Sequence, residues 1–185
     1  MPLANSGRKA PSAGSGGPIT LVLGGARSGK SAYAEALIGG ASAVYLATGQ
    51  AGDDEMAARI AHHRRRRGAN WTTVEEPVAL AAALRAWSRP ERPVLVDCLT
   101  LWVSNLLLAN RDVAEEAEVL ITALAEMPGS VVLVANEVGL GIVPENALAR
   151  RFRDEAGRLN QAVAAVAQRV VFMAAGLPMV LKDSP

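Results

Sequence analysis

Short apolar runs alternate along this chain with longer segments in which apolar residues recur at helical spacing. The short runs are rich in Val, Ile and Leu, and such runs are typical of β-strands. They predict strands at Ile19–Leu23, Ala43–Ala47, Trp71–Val74, Val94–Asp97, Ser130–Ala135 and Val170–Met173. Several of these runs have no polar position, which is typical of strands that are covered on both faces of a sheet.

The intervening segments have the three- and four-residue spacing of amphipathic helices. One is Lys30–Ile38, with Tyr33 and Leu37 on one face, and another is Asn146–Gln168, with Phe152 among its recurring apolar positions. Alternation of strands and helices predicts an α/β fold with a mostly parallel sheet and helices on both faces. In such sheets, ligands bind beyond the carboxyl ends of the strands.

Composition narrows the class of protein. Half of the 185 residues are apolar, a fifth are charged and the net charge is only +1, so we expect a globular protein that does not bind nucleic acid through a broad basic surface. No apolar stretch is long enough to span a bilayer. Residues 1–18 are rich in Ser, Gly, Pro and Ala and predict a flexible tail, followed by one catalytic domain over residues 19–185.

The single cysteine, Cys98, lies in an apolar run and has no partner for an internal disulfide. We expect it to pack as a small core residue. This cysteine usage fits a reducing compartment, so the expected location is the cytoplasm.

The run from Gly24 to Ser31 matches the phosphate-binding pattern GxxxxGK[ST], with a predicted strand before it and a predicted helix after it. Its backbone amides and the following helix N-terminus suit phosphate oxygens. The pattern predicts that Lys30 contacts the β- and γ-phosphates and acts in catalysis, and that Ser31 ligates Mg²⁺. The predicted nucleotide-binding residues here are Gly24, Gly25, Ala26, Arg27, Ser28, Gly29, Lys30 and Ser31.

A second metal ligand is expected at the end of the run Val94–Val96, which Asp97 closes in the manner of a Walker B aspartate. An aspartate at this position is also a common turn residue or helix cap. The presence of the phosphate-binding run favours the interpretation of Ser31 and Asp97 as a Mg²⁺ pair that binds ATP or GTP.

Two other polar stretches follow predicted strands, namely Thr48-Gly49-Gln50 and Asn136–Gly139. Their positions suit substrate contacts, although turn residues are the alternative. Glu137 is one candidate for the base that deprotonates a substrate hydroxyl. The segment 139–146, which contains Gly141 and Pro144, predicts an ordered loop that closes over a substrate.

The segment Asp53–Gly68 predicts a helix with acidic residues at its start and the run Arg64–Arg67 at its end. Helical spacing places His62 on a polar stripe and His63 on a stripe with Met56. From these residues alone a solvated basic face is the favoured interpretation. A histidine nucleophile that attacks a phosphorus atom is the alternative.

Three stretches together resemble one family far more specifically than the phosphate-binding run does alone. They are GGARSGKS at Gly24–Ser31, DDEMAARI with His62 and His63, and NEVGLGIVPEN at Asn136–Asn146. They resemble the bifunctional adenosylcobinamide kinase and adenosylcobinamide-phosphate guanylyltransferase of cobalamin biosynthesis, over nearly all of Ile19–Lys182.

The resemblance implies a RecA-like P-loop domain that catalyses two reactions with small-molecule substrates. The first phosphorylates adenosylcobinamide with ATP or GTP, and the second transfers GMP from GTP through a covalent GMP-histidine. It implies that His62 is the nucleophile and that the enzyme is a homotrimer. It also implies further contacts with the guanine nucleotide, at Thr48, Gly49, Gln50, His63, Arg64, Arg65, Arg66 and Glu75.

Two other functions remain open from the sequence. A small-molecule kinase with a single activity would use the same P-loop and form no nucleotidyl adduct. A GTP-binding switch protein would bind nucleotide without small-molecule chemistry. Release of pyrophosphate separates the first alternative from the bifunctional enzyme, and turnover of a cobinamide separates the second.

Overall fold

The computed structural model describes residues 16–39, 42–49 and 70–184. Its strands are β1 (Ile19–Gly24), β2 (Ala43–Ala47), β3 (Trp71–Glu75), β4 (Val94–Asp97), β5 (Val131–Asn136), β6 (Arg169–Ala174) and β7 (Leu177–Asp183). The helices of this part of the chain are α1 (Lys30–Ile38), α2 (Leu80–Trp87), α3 (Leu99–Leu108), α4 (Val113–Glu126) and α5 (Ala147–Val166).

The strands form one seven-stranded sheet in the order β3-β2-β4-β5-β1-β6-β7. All neighbours are parallel except β6 and β7, which are antiparallel. The six predicted strands are therefore confirmed, with ends that shift by one residue at most. The edge strand β7 was not predicted, because its run contains Pro178 and its apolar side chains are largely exposed.

Helices cover both faces of the sheet, as predicted. Alternate side chains of β1 illustrate this, since Leu21 and Leu23 join one buried cluster and Val22 joins the other. The first cluster includes residues of α2, α3, α4 and α5, whereas the second includes Ala34 of α1. Cys98 is buried in the second cluster, which confirms its predicted place in the core.

Local capping explains where the longest described helix begins. The side chain of Asn146 accepts hydrogen bonds from the amides of Leu148 at 2.7 Å and Ala149 at 3.2 Å, so α5 begins at Ala147. The predicted helix Asn146–Gln168 is thereby confirmed. No helix in the described ranges is long and apolar enough to cross a membrane.

Two of the predicted segments fall partly or wholly outside the described residues. They are the helix Asp53–Gly68 and residues 1–15 of the predicted tail. The last residues of that tail are already fixed, because the amide of Gly17 donates to Met127 O at 2.7 Å and Pro18 O accepts from Val131 at 3.0 Å.

The carboxyl ends of the first five strands lie along one edge of the sheet. The register pairs Ala47 with Glu75 on one side and with Asp97 on the other, and pairs Gly24 with Asn136. Strand β5 separates the strand that precedes the glycine-rich loop from the strand that ends in Asp97. This is the strand arrangement of RecA-like P-loop domains, and it brings the strand ends at Gly24, Glu75 and Asp97 to a single edge.

Candidate nucleotide-binding site

The run Gly24–Ser31 forms a tight loop between β1 and α1. Gly24 has φ of 150°, and a Cβ there would lie 2.5 Å from Met173 O. Gly29 has φ of 96° and Arg27 has φ of 56°, so the loop uses left-handed backbone at two further positions. The sequence GGARSGKS therefore folds into the compact turn that precedes a helix N-terminus, as its pattern predicts.

The turn between β6 and β7 braces this loop from the side. The amide of Gly176 donates to Ser28 O at 3.1 Å, and a Cβ on Gly29 would lie 3.4 Å from Gly176 Cα. Gly176 itself has φ of 81°, which favours glycine. The phosphate-binding loop thus contacts a segment almost 150 residues further along the chain.

Lys30 lies at the start of α1 with only 7% of its surface exposed. Its Nζ donates to Gly25 O and lies 3.5 Å from Ser28 Oγ, so the ammonium group is held inside the loop. Burial lowers the pKa of Lys30 below its ordinary value, while the nearby Cys98 and Asp97 act in the opposite direction. A cation in this position suits an anionic ligand that enters the loop.

Ser31 and Asp97 are brought together although they are distant in the sequence. The Ser31 hydroxyl donates to Asp97 Oδ2 at 2.8 Å. Ser31 comes from the first turn of α1 and Asp97 from the last position of β4. The structure thus brings together the two residues that the sequence predicted as metal ligands, and their binding of Mg²⁺ stays a prediction.

Tyr45 is a site residue that the sequence analysis missed. Its hydroxyl donates to Asp97 Oδ2 at 2.9 Å, so this oxygen accepts both Tyr45 and Ser31. The ring lies in the buried part of β2 and makes an edge-on contact with Trp71, with centroids 6.3 Å apart. A signal was present, because a tyrosine in the otherwise aliphatic run Ala43–Ala47 needs a partner for its hydroxyl when buried.

Thr48, which the sequence predicted as a nucleotide contact, joins the ends of β2 and β4. Its side chain is fully buried, and its hydroxyl donates to Cys98 O at 2.7 Å and accepts from Cys98 N at 2.9 Å. The Thr48 amide donates to Asp97 O at 3.2 Å. Asn105 donates to Thr48 O at 2.7 Å, and its role was likewise missed.

Only some of the other predicted nucleotide-binding residues lie in the described ranges. Gly49 lies against α3, since a Cβ on it would meet Leu101 at 3.1 Å. Glu75 ends β3 and is separated from Asp97 by β2. The contacts of Thr48, Gly49 and Glu75 with a nucleotide stay predictions. The remaining predicted residues, which lie outside the described ranges, are Gln50, His62, His63, Arg64, Arg65 and Arg66.

The predicted loop after β5 is anchored at both of its ends. At its start, the Glu137 amide donates to Gly24 O at 3.0 Å, beside the phosphate-binding loop. At its end, Arg150 donates to Pro144 O at 2.9 Å and to Glu145 O. Between these anchors the loop exposes apolar side chains, among them Ile142 at 98%. The fixed ends hold an apolar surface next to the site.

The sheet order and the site together define a RecA-like P-loop nucleotide-binding domain. The glycine-rich loop, the buried Lys30 and the Ser31–Asp97 pair all lie at the carboxyl edge of the sheet, where such domains bind phosphates. The family described as cobinamide kinase / cobinamide phosphate guanyltransferase matches residues 20–181. The chain belongs to this enzyme family.

Characterised relatives support this assignment. The bifunctional adenosylcobalamin biosynthesis protein CobP of Pseudomonas aeruginosa is 55% identical over 169 residues, which cover 89% of this chain and 98% of the relative. The bifunctional adenosylcobalamin biosynthesis protein CobU of Salmonella typhimurium is 48% identical over 180 residues, with 89% and 99% covered.

Among solved structures, the P4 protein from bacteriophage phi13 superposes with a TM-score of 0.48 at 16% identity, covering 88% of this chain and 53% of its own. A likeness of that size bears on neither fold nor function.

Proposed function

We propose that this enzyme catalyses two successive reactions on one small-molecule substrate. In the first, the terminal phosphate of ATP or GTP moves to the hydroxyl of the aminopropanol arm of adenosylcobinamide. In the second, GMP moves from GTP to adenosylcobinamide phosphate and gives adenosylcobinamide-GDP. The observation that carries the proposal is membership of the family over residues 20–181, with the phosphate-binding loop formed around Lys30.

In the phosphoryl transfer, the loop residues Gly24–Ser31 bind the triphosphate through their backbone amides. Lys30 neutralises charge on the β- and γ-phosphates, and its burial makes this interaction stronger than it would be in water. The Nζ of Lys30 donates to Gly25 O, a neutral acceptor, and the phosphates of a bound nucleotide would offer it anionic acceptors.

The donor chemistry of the site fits Mg²⁺. Ser31 and Asp97 offer a hydroxyl and a carboxylate 2.8 Å apart, and Mg²⁺ prefers such oxygen ligands together with water and substrate phosphates. In the described ranges, no group of three or more His, Cys, Asp or Glu side chains forms a larger metal site. When bound, Mg²⁺ neutralises charge that develops on the transferred phosphoryl group.

In the nucleotidyl transfer, a ring nitrogen of His62 attacks the α-phosphorus of GTP. A P–N bond forms, the bond between the α-phosphorus and the bridging oxygen breaks, and pyrophosphate leaves. A phosphate oxygen of adenosylcobinamide phosphate then attacks the same phosphorus, and the P–N bond breaks. The intermediate divides one difficult displacement into two easier ones. The specific resemblance of the DDEMAARI and His62-His63 stretch to the family supports this assignment.

Labelling with nucleotide tests the proposal directly. The protein is incubated with GTP labelled at the α-phosphate, and the label bound to protein is measured after denaturation. We expect label that is stable in alkali and labile in acid, as for a phosphoramidate, together with one pyrophosphate per label. Label should be absent from His62→Ala and present in the matched variant His63→Ala.

A second assay separates the two activities. With γ-labelled ATP and adenosylcobinamide, His62→Ala should still form adenosylcobinamide phosphate, because the phosphoryl transfer does not use the histidine. Protein label that persists in His62→Ala rejects this histidine as the attachment site. If wild-type enzyme forms the phosphate but releases no pyrophosphate from GTP, the enzyme is a kinase alone.

We also propose that the enzyme is a homo-oligomer, with the trimer of the family as the expected state. The edge strand β7 supports this proposal, because Leu177, Met179, Val180 and Leu181 are all exposed along one short strand. Exposed apolar edge strands are poor surfaces for a monomer and good surfaces for association. Analytical ultracentrifugation at micromolar concentration measures the state.

A further inference from the structure

We propose that Tyr45 is a positioning residue that sets the orientation of the Asp97 carboxylate for magnesium-dependent nucleotide binding. The inference rests on the proposed role of Ser31 and Asp97 as the Mg²⁺ pair. It assigns a role in the site to β2, which lies outside the phosphate-binding motif.

The first observation is the shared acceptor. Oδ2 of Asp97 accepts the Tyr45 hydroxyl at 2.9 Å and the Ser31 hydroxyl at 2.8 Å. The two donors come from different elements, α1 and β2, and together they restrict the rotation of the carboxylate about its last torsion angle. Ser31 is itself a proposed metal ligand, whereas Tyr45 belongs to the sheet.

The second observation is that Tyr45 is held rigidly. It lies in β2 with 6% of its surface exposed, and its ring contacts Trp71 edge-on. The register of β2 and β4 pairs Tyr45 with Leu95, two residues before Asp97. The hydroxyl therefore projects from a fixed strand toward the end of its neighbour.

The third observation is that the backbone of Asp97 is held by contacts other than those of its carboxylate. The backbone at the end of β4 is fixed by Thr48, which bonds to Asp97 O at 3.2 Å and to both backbone groups of Cys98. Because these bonds hold the main chain, loss of the Tyr45 hydroxyl removes one of the two donors to the Asp97 carboxylate and leaves its Cα in place. A change at Tyr45 thus tests orientation alone.

The test compares nucleotide affinity with and without the metal. The β,γ-imido analogue of ATP is titrated into the enzyme in Mg²⁺ and in EDTA, and this analogue avoids guanylylation of the protein. In Tyr45→Phe we expect the Kd in Mg²⁺ to rise about tenfold, in line with the loss of a hydrogen bond to a charged group. The Kd in EDTA should stay within about twofold of wild type, on the same reasoning.

The chain offers a matched control, because its other tyrosine is Tyr33. Tyr33 lies on α1 and packs on the same apolar layer as Tyr45. Tyr33→Phe removes the same atom and should leave both affinities unchanged. Unfolding by denaturant verifies that both variants are folded before titration.

A double-mutant cycle with Asp97→Asn completes the design. In the Asp97→Asn background, Tyr45→Phe should cause no further loss of Mg²⁺-dependent affinity. Equal losses in Mg²⁺ and EDTA, additive losses in the cycle, or no loss in Mg²⁺ would each overturn the inference. If wild-type enzyme binds the analogue equally well in Mg²⁺ and in EDTA, the proposed metal pair fails before Tyr45 is in question.

Discussion

Two edges of the same sheet differ sharply in how completely their side chains find partners within this chain. At the carboxyl edge, Lys30, Ser31, Asp97 and Thr48 all have hydrogen-bond partners within the chain. At the lateral edge, β7 exposes its apolar side chains, with Leu177 at 70%. The carboxyl edge is preorganised by one chain, whereas the lateral edge has the character of a surface that another chain covers.

This difference predicts which property of the enzyme a substitution at each edge should change. Changes at the carboxyl edge should alter binding and catalysis in any oligomeric state, because hydrogen bonds within one chain hold the described side chains there. Changes on β7 should alter association first. Three substitutions separate these two regions, from the largest expected effect to the smallest, and chemical modification of Cys98 probes the carboxyl edge without a substitution.

Lys30→Met should cause the largest loss. Replacing the buried cation removes a charge that acts on the transferred phosphate, so kcat for formation of adenosylcobinamide phosphate should fall by about 10²–10³-fold. The assay uses γ-labelled ATP with adenosylcobinamide. Lys182→Met is the matched control, because Lys182 pairs with Val170 near the amino end of β6, away from the carboxyl edge, and donates to Ala164 O and Ala165 O. It should be dispensable for turnover.

Gly24→Ala should destabilise the fold as well as the site. A Cβ at Gly24 would lie 2.5 Å from Met173 O and 2.7 Å from Ser28 Oγ, and its φ of 150° is unfavourable for alanine. We expect the free energy of unfolding to fall by about 2–4 kcal/mol. Denaturant titration measures it.

Gly157→Ala is the control for that measurement, because it should change the free energy of unfolding in the opposite direction. Gly157 lies within α5 and a Cβ there would meet no atom within 4 Å. The free energy of unfolding should rise by about 0.5–1 kcal/mol, since alanine is the better helix former. A loss at Gly157 equal to that at Gly24 would contradict the assigned crowding.

Val180→Asp should weaken self-association by at least about tenfold, because a charge on the apolar edge is costly to bury. Sedimentation at several protein concentrations measures the shift. Val119→Asp on α4 is the control, since Val119 is 47% exposed and Val180 50% exposed. Equal effects at both positions would remove β7 from the interface.

The reactivity of Cys98 reports on the carboxyl edge in the unsubstituted enzyme. Burial raises the pKa of Cys98 to about 11, and Asp97 acts in the same direction. Alkylation of the native protein at pH 8 should therefore be at least roughly a hundredfold slower than for a free cysteine, and should accelerate as pH approaches 11. Rapid modification at pH 8, with the fold intact, would show that this end of β4 opens readily.

The sequence predicted the fold correctly where short, local residue patterns determine the structure. The apolar runs predicted six strands because covered strands of a parallel sheet have apolar residues on both faces. The glycine-rich loop was predicted because one local pattern encodes its turn and the helix that follows. Strand β7 was missed because its turn is short and its exposed apolar residues give no alternation of buried and polar positions.

The site was predictable only where one residue type implies one role. Ser31 and Asp97 were assigned from their motif positions, and the structure brings their side chains to 2.8 Å from each other. Their binding of Mg²⁺ stays a prediction. Tyr45 and Asn105 were missed because their partners depend on the order in which strands meet, which the sequence does not state. Thr48 was predicted as a substrate contact from its position after β2 and as a nucleotide contact from the family resemblance. Its buried hydroxyl bonds to Cys98, and the nucleotide contact stays a prediction.

The hydrogen bond from Gly176 to Ser28 has a practical consequence for any shortened version of this enzyme. A chain cut after Ala174 would keep every residue of the glycine-rich motif and still lose the amide that supports the loop from outside. Sequence comparison of motifs alone would judge such a fragment complete. The final hairpin therefore supports the glycine-rich loop, although it lies at the other end of the chain.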